Sequence, residues 1–466
     1  MASLTELNNE ANALKQAGRI DEAIAAFRAI VDTAPGNAVV MHNYAAALGD
    51  AGRNNEAAEW ARKAIAAGIK APETRLVLAR AHVALGEIDA AAAAFAEAVS
   101  MRPVDPVAQR ENAQLIWMAT GDRDKMLAAV NNAIAANPGN VDLRIVRANA
   151  VGNSGDKKGE YAEMLEVLRL AGAAPMIECV TADAALEAGE YHKALEHASA
   201  AAAALGPERQ ALAALCRAFL AVGEPDGALA PVSRLRAEFP LDQSYIALQA
   251  TAWRMLGDDR YHTLFDYKRF VRRFPLACPK GWKSVEAYVD DLIETLDRRH
   301  QYVTHPFGQS VRHGSQLPSI NQIDDPVLKA VGEAVHGPIS NYISLLGEGP
   351  DPLRLRNRGS YRLFSIWSIR LKASGYHINH VHSQGWLSSA CHLRLPAAKD
   401  ENDRSGWLTF GEPGIATTPP LEPEYFVRPE IGVMAVFPSY MWHGTVPFSA
   451  ETTRLTIAGD SVPASI

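Results

Sequence analysis

The sequence predicts an α + β multidomain chain. An all-helical repeat array fills the N-terminal half, followed by a double-stranded β-helix (jelly roll) with flanking helices. Three observations carry that expectation. Glycines recur at Gly18, Gly52, Gly86, Gly121, Gly155, Gly189, Gly223 and Gly257, with successive differences of 34, 34, 35, 34, 34, 34 and 34. From residue 361 onward the apolar pattern becomes short alternating runs separated by Gly and Pro. From about 260 to 320 neither period holds. The organisation expected is a repeat solenoid of about 7–8 units over 1–260, a helical and extended connector over 261–320, and a jelly-roll domain over 321–466.

The first unit, "AGRIDEAIAAFRAIVDTAPGN", shows what each repeat asks for. Gly18 is followed by Ala23, Phe27 and Pro35, and the third unit repeats this as Gly86, Ala91, Phe95 and Pro103. Pro138 and Pro240 hold the proline place in the fourth and seventh units. A small alanine lets two antiparallel helices approach, phenylalanine fills the space between them, and proline ends the second helix. This pattern resembles the tetratricopeptide repeat. The resemblance implies a right-handed solenoid whose concave face holds an extended peptide or a partner's helix. Bracing of the second half, or self-association, is the plainer alternative. The fifth unit departs from the pattern, with Glu160 at the alanine position, and the eighth, "LGDDRYHTLFDYKRF", departs further and is expected to cap the array.

In the connector, "FDYKRFVRRFPLACPKG" reads as a helix and a Pro-rich break, with an amphipathic helix around 284–299. "YVTHPFGQSVRHGSQLPSI" has turn and extended character, and "DPVLKAVGEAVHGPISNYISLLG" reads as one or two helices. Lys268, Arg272 and Arg273 form a small basic patch, read as a solvated face.

Strands are expected at "YRLFSIWSIRLKA", "WLSSACHLRL", "GWLTFG", "VMAVFP" and "RLTIAGD". Among them "GYHINHVHSQGW" sets His377, His380 and His382 within six positions, although 14 histidines serve the whole chain. His443 follows at a strand-to-turn junction, with Arg454 eleven residues later and Thr456 two beyond it. Residues two apart on a strand share a face, so Arg454 and Thr456 form a ready carboxylate clamp.

Composition narrows the function classes. A net charge of −7, with no dense basic block, argues against nucleic acid as a partner. The N-terminus has no basic-then-apolar pattern of a signal peptide and no apolar run approaches membrane-spanning length. Cys179, Cys216, Cys278 and Cys391 are far apart, so a disulfide framework is not expected and the cytoplasm is the default compartment.

His380, its neighbour two residues on, a distal His443 and then Arg454 resemble the Fe(II)/2-oxoglutarate-dependent oxygenases, with the flanks "HVHSQGWLSSA", "GWLTFGEP" and "FPSYMWHGTVPF". The resemblance covers roughly residues 300–463. It implies Fe(II), 2-oxoglutarate and O2 as cofactor and cosubstrates. His380 and His443 would ligate the metal, Arg454 would bind the distal carboxylate of 2-oxoglutarate, and these three form the implied catalytic set. The pattern's usual carboxylate two residues after the first histidine is here His382, so the implied metal set is His380, His382 and His443. Glu412 and Asp460 are the other candidates for a carboxylate ligand. Thr456, Ser388 and His392 are expected at the cosubstrate, with Ser389 nearby, whereas His377 is read as structural. Arg370 and Arg394 are alternative carboxylate binders, and Trp386, Trp442 and Phe437 are read as core or pocket wall. The activity implied is hydroxylation of a protein or peptide brought by the repeats. A small-molecule oxygenase, a cupin-type dioxygenase without 2-oxoglutarate, and an inactive scaffold with a metal-binding barrel remain the alternatives.

Overall fold

The computed structural model describes residues 3–172, 174–396, 403–449 and 452–464. The chain forms two compact units, Met1–Ala150 and Val151–Ile466. In the first unit, antiparallel helix pairs follow the glycine period: Leu4–Gln16 with Ile20–Thr33, Ala38–Asp50 with Asn54–Ala66, Pro72–Leu85 with Ile88–Met101, and Pro106–Thr120 with Arg123–Ala136. Ala23, Phe27, Ala91 and Phe95 are all buried, as the repeat pattern requires. The turn glycines from Gly18 to Gly257 all take positive φ, which side chains avoid. Pro35, Pro103, Pro138 and Pro240 each lie two residues past the end of a helix.

In the second unit the pairs continue as Pro175–Ala188 with Tyr191–Leu205 and Arg209–Val222 with Pro225–Glu238. Lys157–Ala171 carries Glu160, and the side chain fits because the facing residue is Gly152, where an added Cβ would stand 1.8 Å from the Glu160 carboxylate. The eighth unit stops short, as its sequence foretold. After Gln243–Leu256, its second helix is replaced by two short ones, Arg260–Leu264 and Tyr267–Phe270.

The next residues correct one reading. Beyond that single turn the stretch read as helix becomes strand β1 (Arg272–Pro275). The other strands are β2 (Val311–Leu317), β3 (Tyr361–His377), β4 (Leu387–Arg394), β5 (Leu408–Phe410), β6 (Tyr425–Val427), β7 (Val433–Pro438), β8 (His443–Thr445) and β9 (Arg454–Pro463). They form a six-stranded sheet, β1-β7-β4-β9-β3-β2, and a three-stranded sheet, β6-β5-β8, with every strand pairing antiparallel. Two antiparallel sheets of this kind are consistent with a jelly roll. The flanking helices are Val285–Arg299 and Val331–Leu346.

A single hydrophobic core runs from the last repeat into the sheets: Ile246, Ala247 and Ala250 pack in one cluster with Trp386, Phe437 and Trp442. Polar contacts follow the same seam. Trp442 Nε1 donates to Thr251 Oγ1 at 2.9 Å, Gln243 N to the Ser383 carbonyl at 2.9 Å, and Arg254 to the carbonyls of Gly411 and Glu422, both at 2.8 Å. Among the described residues no helix is long and apolar enough to cross a membrane.

Candidate metal and cosubstrate site

β3 ends at His377, and the chain then runs alongside β8. His380 and His443 pair there as an isolated bridge, N to O 2.9 Å one way and 3.1 Å the other. So close an approach needs Gly444, where a Cβ would lie 2.2 Å from Asn379 Oδ1. The bridge brings the two rings to 4.3 Å between centroids, and His382 stands 5.0 Å from His380 and 5.1 Å from His443. One ring nitrogen from each of the three lies within 4.8 Å of the others.

Their second nitrogens are already engaged. His380 Nδ1 meets the Ile378 carbonyl at 2.8 Å, His443 Nδ1 the Met441 carbonyl at 2.9 Å, and His382 Nδ1 the Asp460 carboxylate at 2.7 Å. Carbonyl and carboxylate oxygens only accept, so Nδ1 carries a proton in each ring and Nε2 is the nitrogen available to a ligand, at His380 in place of its 3.4 Å contact with Ser310 Oγ. Burial holds His380 down to about 3 and His443 well below the usual histidine range, with neighbouring imidazoles adding to the effect. Both rings are therefore neutral, the form that binds metal.

The three histidines line a cavity of about 440 Å³ that also presents Arg454, Thr456 and Ser388. Arg454 is 1% exposed, and it forms no ion pair with a carboxylate among the described residues. One Nη donates to the Gly406 carbonyl at 3.0 Å and the other to His392 Nε2 at 2.5 Å, while Nε has no acceptor. Burial lowers the guanidinium to about 9. A cation so placed, in a cavity wall with an unused donor, is suited to a carboxylate guest. The β4–β9 register shifts between His392 and Arg394, and this bulge lies beside Arg454.

Not every expected residue faces the cavity. His392 is buried behind Arg454 and does not line it. Asp460 lines it, but its carboxylate is taken by His382 and by Ser388 Oγ at 2.7 Å, and Glu412 is not among the lining residues. Arg370 donates to the His300 carbonyl and Arg394 pairs with Asp297 at 2.7 Å, so neither reaches the cavity. His377 lines the wall but turns Nδ1 to Ser310 Oγ at 2.9 Å and stays outside the trio. Trp386 is core, and Phe437 is wall. Two contributors escaped sequence reasoning. Trp367 stacks on His382 at 5.4 Å and 18°, and Ser310, just before β2, sits 3.4 Å from His380 Nε2.

Residues 365–460 match the family described as "Putative 2OG-Fe(II) oxygenase", and residues 8–72 and 76–141 match the tetratricopeptide repeat family. None of the curated proteins compared matches the chain. Among solved structures, a tetratricopeptide repeat protein from Parabacteroides merdae is 14% identical, covering 53% of this chain and 98% of its own, at a TM-score of 0.40. The MamA protein is 20% identical over 36% of this chain and 91% of its own, at 0.30. A thermophilic repeat protein of Thermus thermophilus is 19% identical over 40% and 100%, at 0.32. The chain joins tetratricopeptide repeats to a C-terminal domain that matches the 2-oxoglutarate/Fe(II) oxygenase family.

Proposed function

We propose that this chain is an Fe(II)- and 2-oxoglutarate-dependent hydroxylase acting on a protein or peptide recruited by its repeats. One observation supports the reading: one ring nitrogen from each of His380, His382 and His443 lies within 4.8 Å of the others, beside a cavity whose lining includes a buried arginine with a donor that has no acceptor. Fe(II), with 2-oxoglutarate and O2, supplies hydroxylation coupled to oxidative decarboxylation of the cosubstrate to succinate and CO2. The residues fit that group. His380, His382 and His443 would hold the metal and leave positions open for the cosubstrate and O2. Arg454 would donate two hydrogen bonds to the distal carboxylate and Thr456 a third, while His392 positions Arg454 from behind. Phe437, Leu408 and Trp367 give the cavity apolar walls that exclude water.

Repeats of this class mediate protein–protein contacts, which supports a macromolecular partner for the array. The division proposed is repeats over 1–260 and oxygenase from 261 onward, because the stretch 261–320 expected as a connector supplies β1 and β2 to the six-stranded sheet that 321–466 completes. All four cysteines are free thiols, in keeping with a cytoplasmic setting. A small-molecule substrate is the rival, because 440 Å³ also suits one.

The test uses the full chain. An anaerobic titration with Fe(II) and then 2-oxoglutarate should raise a visible metal-to-ligand charge-transfer band that His443→Ala abolishes. Succinate release should then rise with a protein captured on the repeats. Absence of the band in wild type overturns the oxygenase reading, and stimulation by small molecules alone overturns the recruitment.

A further inference from the structure

The metal-ligand trio lacks a carboxylate, yet a carboxylate stands directly behind one member. We propose that Asp460 is a positioning residue that gives the site, through His382, the negative charge a directly bound carboxylate would supply. The inference rests on the metal-binding reading above. Asp460 is 6% exposed, and both its oxygens are engaged: Oδ2 with His382 Nδ1 and Oδ1 with Ser388 Oγ, each at 2.7 Å. Strand register explains the pairing. Ser388 on β4 and Asp460 on β9 are direct cross-strand partners, so the hydroxyl and the carboxylate leave the same face of the sheet.

Of the three histidines only His382 meets a full negative charge; His380 and His443 meet carbonyls. A carboxylate accepting the Nδ1 proton fixes the tautomer and raises the basicity of Nε2 as a ligand. His382 is also held in orientation by other contacts. Its backbone N–H donates to the Ser439 carbonyl at 3.0 Å, and Trp367 lies stacked on the ring. Gly385 keeps the turn tight enough for this arrangement, since a Cβ there would stand 2.3 Å from Ser439 Oγ. The carboxylate that a site of two histidines and a carboxylate would place on the metal stands here one residue removed from it.

Full-length metal-free protein should be titrated anaerobically with Co(II), and separately with Fe(II) and 2-oxoglutarate. Asp460→Asn keeps the shape and an acceptor oxygen but removes the charge. We expect Co(II) affinity to fall about 10–100-fold. The charge-transfer band of the Fe(II) and 2-oxoglutarate complex should move to higher energy, a signature that a merely structural loss does not produce. Affinity and band position equal to wild type overturn the proposal while leaving the metal site intact. Wild type that binds no Co(II) overturns the metal reading itself. If Asp460→Asn does not fold, 15N-histidine NMR of wild type decides. A His382 Nδ1–H resonance downfield of those of His380 and His443, retained on Zn(II) binding, supports the proposal. Metal bound through His382 Nδ1 overturns it.

Discussion

Replacing Arg454 with methionine should cost the metal-free protein little or no stability and leave it unable to hold 2-oxoglutarate. The side chain is 1% exposed, faces no carboxylate among the described residues, and leaves Nε without an acceptor. Its drop from 12.5 to about 9, at about 1.4 kcal/mol per pH unit, puts the burial of that cation at about 5 kcal/mol unfavourable. Methionine keeps the apolar stem but leaves the Gly406 carbonyl and His392 Nε2 unpaired, which costs back about 1–3 kcal/mol for each group. The net change expected therefore lies between a gain of about 3 kcal/mol and a loss of about 1 kcal/mol, and is read as the shift in Tm. Loss of the charge-assisted clamp, about 1.5–3 kcal/mol per bond, should weaken 2-oxoglutarate binding by at least about 100-fold. Thermal melts of full-length protein with Mn(II), with and without 2-oxoglutarate, read both effects. Wild type should gain about 2.7 kcal/mol at a cosubstrate concentration 100 times its Kd, and the variant nothing. A variant that keeps wild-type cosubstrate stabilisation would refute the assignment of Arg454, and a loss of stability well beyond about 1 kcal/mol would refute the estimate of a costly buried charge.

Three further outcomes are expected. His300 is buried between Ser315 Oγ at 2.8 Å and Ser368 Oγ at 3.0 Å and is held down to about 3 by desolvation, so it stays neutral when the unfolded chain protonates near 6.5. Its contribution is complete above pH 6.5 and is lost as pH falls toward 3, at about 1.4 kcal/mol per pH unit; urea melts across that window should show a shallower decline in His300→Gln. Gly152→Ala should change stability by less than about 1 kcal/mol, because the new methyl meets only the movable end of Glu160 and alanine favours the helix, and a denaturant titration will read the change; a loss of several kcal/mol would show that Glu160 cannot move. Trp386→Ala empties a fully buried site and frees the Leu353 carbonyl, which Nε1 reaches at 2.8 Å, and should cost about 3–5 kcal/mol in the same assay.

The repeats were legible because each unit spends its distinctive residues on backbone geometry: a glycine for positive φ, a proline beyond a helix end, an alanine at a close approach. The trio was legible in part, since His380 and His382 are two apart and His443 opens a strand. β1 was not legible. Its four residues, Arg272 to Pro275, are mostly exposed at a sheet edge and lack the alternation that marks a half-buried strand. The place of Trp367 was hidden by a bulge between Leu363 and Ser365, which changes the parity of β3 partway along. Asp460 looked like a spare ligand because sequence spacing says nothing of register. Only the pairing of β9 with β4 sets it opposite Ser388 and behind His382.

The seam between Thr251 and Trp442 sets a rule for anyone trimming this protein to a smaller catalyst. A cut at residue 260 would strip Ile246, Ala247 and Ala250 from the cluster that holds Trp386 and Phe437, and the exposed greasy face would invite aggregation. A fragment that starts before Gln243, at the head of the helix carrying Ile246, keeps that cluster whole. Swapping recognition modules is therefore best attempted among the earlier repeats, with the helix from Gln243 to Leu256 treated as part of the catalyst's foundation.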